Sequence, residues 1–108
     1  MSYDFTIKQG ARFPQLDAVL QDEDGNIISL TGANYATFAM RPLATLTSIT
    51  GLASIIDAAG GHVRYAWASG DTNIAGPADA EFIVNFTNGE LVFPSDDYIR
   101  INIVDNLT

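Results

Sequence analysis

The chain has 108 residues, 47% of them apolar, which bounds it to one globular domain burying roughly two-thirds of the surface its unfolded form exposes. It has no cysteine, so disulfide frameworks and cysteine-based zinc sites are excluded. Thirteen Asp and Glu against five Lys and Arg leave a net charge of −8; no nucleic acid and no membrane is an expected partner, because phosphates and anionic lipids would be repelled, and other proteins remain.

The amino terminus, Met1-Ser2-Tyr3-Asp4-Phe5, has neither the basic nor the apolar segment of a signal peptide. No apolar stretch reaches the ~20 residues that span a bilayer. From there the dominant period is two, the signature of strands with one face buried. Phe5 and Ile7 alternate with Asp4, Thr6 and Lys8. Leu16, Ala18 and Leu20 alternate with Asp17 and Gln21. Turn chemistry follows at Asp24-Gly25-Asn26 and Thr31-Gly32. Phe38 and Met40 alternate with Thr37, Ala39 and Arg41, and a break is expected at Arg41-Pro42. Leu43 to Gly51 is rich in Thr and Ser and reads as a long loop or loose edge strand. Leu52 to Ile56 reads as a weaker strand with no assignable inward face.

After Gly60-Gly61, Val63, Tyr65 and Trp67 alternate with His62, Arg64 and Ala66. The alternation lapses between Ser69 and Ala75, where one short helical turn is expected, capped by Ser69 or Asp71. A break at Gly76-Pro77 precedes the clearest strand. Its Ala80, Phe82, Val84 and Phe86 share one face, and Asp79, Glu81, Asn85 and Thr87 the other, with Ile83 as the exception. Asn88-Gly89 suits a type I′ hairpin turn, with both central residues at positive φ, before the return strand Glu90-Leu91-Val92-Phe93. Pro94-Ser95 is the last break, and Ile99, Ile101 and Ile103 form the last inward row. Seven to eight short strands at roughly ten-residue spacing imply an all-β sandwich or barrel in a single domain, residues 1–108.

The order of these pieces resembles the amino-terminal immunoglobulin-like domain of phage baseplate upper proteins, which is also found in other tail and fibre proteins. The resemblance rests on Phe5-Thr6-Ile7-Lys8-Gln9-Gly10, on Phe13-Pro14 with Leu16, and on Asp24-Gly25-Asn26. It continues through Leu30-Thr31-Gly32-Ala33, through Phe38, Met40, Arg41 and Pro42, and through Gly61 with Val63, Tyr65 and Trp67. Gly70-Asp71-Thr72 and Gly76 follow. Then come Ala80-Glu81-Phe82 with Val84, Phe93-Pro94, and Tyr98-Ile99 with Ile101. It covers nearly the whole chain. One position departs: where the family pattern has an aromatic after the glycine opening the Glu81 strand, Pro77 and Ala78 stand. The resemblance implies an immunoglobulin-like antiparallel β-sandwich without enzymatic activity. It implies a virion structural protein of the tail or baseplate, made in the host cytoplasm and docked in several copies or a ring onto other virion proteins.

The residues that could carry chemistry have plainer readings. His62 is the one histidine; no nucleophile turn of the Gly-x-Ser-x-Gly kind accompanies it, and a surface histidine is expected. Asp22-Glu23-Asp24-Gly25-Asn26 fails as a calcium loop, since counting from Asp22 glycine falls at the fourth position instead of the sixth and Ala33 at the twelfth instead of Glu. Asp96-Asp97 is expected in a solvated loop. Trp67 is expected in the core and not on a sugar-stacking platform. No catalytic, cofactor or metal residue is assigned. The expected protein-contacting residues are Val19 and Ile83, apolar on the outward faces of their strands, with the tyrosines Tyr3, Tyr35 and Tyr98. Two alternatives to a tail or baseplate part are weighed: a head-decorating, neck or fibre-anchoring protein, and, from another class, a host-receptor or carbohydrate-binding module.

Overall fold

The computed structural model describes residues 3–95 and 97–107. The described residues are all-β, with eight strands among them: β1 (Phe5–Lys8), β2 (Leu16–Val19), β3 (Tyr35–Pro42), β4 (Ile49–Asp57), β5 (His62–Tyr65), β6 (Gly76–Phe86), β7 (Gly89–Phe93) and β8 (Ile99–Val104). Hydrogen-bonded neighbours run β1-β8-β6-β3-β4-β5-β2. The eleven-residue β6 takes two partners end to end on one side, β8 along Gly76–Ala80 and β7 along Phe82–Phe86. β4 joins the two layers. Its first half, Ile49 to Ala53, pairs with β3, and its second half, from Ser54 to Asp57, pairs with β5, with a register shift between Ile55 and Asp57. This hand-over folds the sheet back on itself into a sandwich that approaches a barrel.

The inward rows are those the alternation marks. Phe38 and Met40 of β3, Ala80, Phe82 and Val84 of β6, Val63 and Tyr65 of β5, and Ile101 and Ile103 of β8 are all buried, as is Trp67 just beyond β5. Phe38 lies at the centre. It stacks on Tyr65 at 4.3 Å between ring centroids, meets Phe82 at 5.2 Å, and takes Trp67 edge-on at 5.6 Å. Gly51, paired with Phe38, leaves room for the Tyr65 ring: a Cβ there would come within 2.9 Å of its Cε1 and Oη. That explains why β4 shows no clear face in sequence. Its inward row is Ile49, Gly51, Ala53 and Ile55, and the middle of that row is small, Gly51 because the Tyr65 ring fills the space above it.

Several local expectations are corrected. The sheet is mixed, because β1 runs parallel to β8, with Phe5 opposite Ile101 and Ile7 opposite Ile103. Arg41-Pro42 and Gly76-Pro77 do not interrupt strands. Pro42 ends β3 opposite Ala78, and Pro77 sits near the start of β6, positions where a missing N–H is tolerated. Ala78, at the departure from the family pattern, is buried against these neighbours. Leu43–Ser48 is a loop, but Ile49–Gly51 already belongs to β4. The hairpin between β6 and β7 forms, yet its turn residues are Thr87 and Asn88, with Phe86 opposite Gly89. Gly89 has φ of 149°, and Asn88 is not at positive φ, so the turn is not type I′.

No helical turn forms over residues 69–75. Two tight turns, Asp71 N–H to Ala68 O and Asn73 N–H to Gly70 O, take its place, with Gly70 at φ of 91° breaking any right-handed run. Asp71 is not a helix cap. Its Oδ2 accepts the Ala68 N–H at 2.9 Å and the Tyr65 hydroxyl. Burial pushes the Tyr65 phenol above its usual range, and the Asp71 carboxylate raises it further, so the hydroxyl remains a donor. The buried Thr72 then donates to Ala11 O at 2.8 Å, tying the β1–β2 connection to this turn.

Candidate protein-docking surface

The outward face of β4, β3, β6 and β7 carries an apolar row. Strand register places Leu52 opposite Thr37, Thr37 opposite Ile83, and Ile83 opposite Val92. Leu52 is 75% exposed and Val92 39%, while Ile83 is half-buried between its neighbours. The Thr37 hydroxyl donates to the Ile83 carbonyl at 3.4 Å. Tyr35, 49% exposed, lies two residues along β3 on the same face. Polar rows border it, Asn85 and Glu90 on one side, Thr50 and Glu81 on the other. An apolar strip rimmed by polar groups is the usual make-up of a protein contact.

Of the residues expected to contact partners, this face gathers Tyr35 and Ile83 only. Val19 is exposed, but on β2, opposite His62. Tyr98 is exposed beside Arg41 and Ser48, at the other end of β3. Tyr3 is half-buried ahead of β1. Leu52 and Val92 were missed. The signal that could have found them is the cross-strand register, which depends on which strands are neighbours.

The remaining candidates resolve into local structure. His62 Nε2 lies 2.9 Å from Asp17 Oδ1, and Arg64 Nε donates to the same oxygen at 2.7 Å across the β2–β5 pair. Burial works against the charge on Asp17, but the hydrogen bonds from His62 and Arg64, with the Arg64 charge, outweigh it and hold the carboxyl below its ordinary range. The Asp17 charge therefore favours the fold above pH ~4, and this contribution is lost as pH falls through the lowered value. Asp17 is exposed enough that the effect stays under about 1 kcal/mol. Asp17→Asn is expected to lower urea stability by that amount at pH 7 and to leave it unchanged at pH 2.5; an equal loss at both would show that charge is not the cause.

In the acidic turn, Asp22 Oδ1 accepts the backbone N–H groups of Asp24 and Asn26, both at 2.9 Å. Those bonds, that of Asn26 foremost, pull its carboxyl below the usual range and commit it to the turn. Asp96 lies outside the described residues; Asp97 Oδ1 accepts from Arg100 Nη2 at 3.0 Å. Trp67 is core, its Nε1 donating to Pro14 O at 3.1 Å.

No protein-family model matches the chain, and no curated protein or solved structure is significantly similar to it.

Proposed function

We propose that this domain is a structural, non-enzymatic part of a phage particle, an immunoglobulin-like module of the tail or baseplate that docks onto other virion proteins in several copies. The observation that carries docking is the exposed row Leu52–Thr37–Ile83–Val92 across one sheet face. The place in the particle rests on the resemblance of the sequence to baseplate upper-protein domains. A stiff sandwich suits the role, since its side chains are held by packing and many weak copies hold together through avidity.

A carbohydrate platform would need its aromatics gathered around one groove. Phe13 and Tyr98 border separate grooves, with Lys8 and Val104 and with Arg41 and Ser48 respectively, and Tyr35 borders neither. The docking reading is therefore preferred to the sugar-binding one.

Leu52→Lys tests it. The side chain is 75% exposed, so the melting temperature is expected to stay close to the parent's, while the amount of chain retained in purified particles falls at least about tenfold, as expected when a charge enters an apolar contact. Parental retention would remove this face from the proposal.

A further inference from the structure

β7 and β2 are both edge strands. Among the described residues β7 pairs only with β6, and β2 only with β5. A strand with one partner leaves alternate backbone N–H and C=O groups pointing outward. Grooves run between β7 on one side and β2 with the turn that follows it on the other. One groove, of about 370 Å³, lies between Gln21–Asp24 and Leu91–Phe93; a second, of about 340 Å³, lies between Leu16–Val19 and Phe93, Pro94 and Ile99. Phe93 borders both, so they form one seam.

The floor is apolar, with Ile28 and Leu91 in the first groove and Leu16 and Val19 in the second. The rim is acidic. Asp22, Glu23 and Asp24 line one groove, Asp4 and Asp17 the other, and no Lys or Arg is among the described residues lining either. The Asp17 charge is shared with His62 and Arg64 behind it, which leaves the Asp22–Asp24 end the most negative.

We propose that this seam accepts an extended segment of another protein, with apolar residues at every second position and Lys or Arg between them, inserted as a strand between β7 and β2. Main-chain bonds to the two edges would supply affinity, and the alternating side chains would supply specificity. A second copy is a poor occupant. It brings a net charge of −8, and its edge strands β1, β2 and β7 carry one cation between them, Lys8. The inference extends the docking reading to a second surface, and it is tested on the isolated protein, without the particle.

The probe is a blocked peptide of about nine residues alternating Val and Lys, a strand-length segment. Its controls are the Val/Glu peptide and a Val/Lys peptide with the alternation scrambled. Titration followed by fluorescence anisotropy is expected to show the Val/Lys peptide binding at least about tenfold more tightly than either control, and weakening with salt. Hydrogen exchange is expected to slow in β7 and β2 when it binds. Glu23→Lys with Asp24→Lys, both in the exposed turn, is expected to reverse the preference toward the Val/Glu peptide at an unchanged melting temperature. Equal affinity for the three peptides, no binding, or protection confined to the outward face of β3 and β6 would overturn the proposal. If the peptide binds the seam while the Leu52→Lys variant still enters particles, the outward row is wrong and the seam remains.

Discussion

Phe38→Ala is expected to destabilise the domain by about 3–5 kcal/mol, the range for removing a fully buried aromatic. Phe38 has no exposed surface and touches three other rings, so its loss leaves a cavity that rigid neighbours cannot close. Tyr65 is held by its bond to Asp71, and Trp67 by its bond to Pro14. A domain of this size has on the order of 5–15 kcal/mol of total stability, so the variant would be marginal at 37 °C. Chemical denaturation at 25 °C measures it. A loss under about 1.5 kcal/mol, the range of volume-conserving swaps, would mean that the aromatic centre repacks, and the assignment of Phe38 as its keystone would fall.

Gly61→Ala is expected to cost about 2–5 kcal/mol, from two causes that a second glycine separates. Gly61 has φ of +66°, and a Cβ there would meet the Ile28 carbonyl oxygen at 2.6 Å and that of Leu20 at 3.1 Å. Both are backbone atoms in a junction where Leu20 N–H bonds to Gly61 O and Ile28 N–H to Leu20 O, each at 2.9 Å. Neither can move without breaking the other. Gly25 has φ of +85° with nothing within 4 Å of an added Cβ, so Gly25→Ala should show the backbone term alone, about 1 kcal/mol. Equal losses at the two sites would show that the crowding at Gly61 carries no weight.

The strands and their inward rows were legible wherever large apolar residues alternate with polar ones, as at Val63, Tyr65 and Trp67 or at Phe82 and Val84. Legibility failed where packing reverses the local signal. In β4 Leu52 points to solvent while Gly51 sits inward beneath Tyr65, and Ile55 and Ile56 fall on opposite sides, so residues 49–57 alone give no clear face. Pro42 and Pro77 looked like breaks because proline's cost depends on whether its missing N–H was needed, which only pairing decides. The parallel pairing of β1 with β8 joins residues ninety-six apart in sequence, beyond any local pattern. The same holds for the candidate surfaces. Ile83 stood out because it breaks the alternation of β6, but its companions Leu52 and Val92 come from strands whose adjacency is tertiary. The seam is likewise a product of topology, since the acidic turn at Asp22–Asp24 and the return strand at Leu91–Phe93 are distant in sequence.

Immunogold labelling of intact parent particles with antibody against this chain tests the proposed role most directly. The account predicts label on the particle, concentrated at the tail tip. Label over the head or neck would keep a virion role and transfer it to decoration or connection. Particles without label, whether intact or gently disrupted, would contradict the virion assignment.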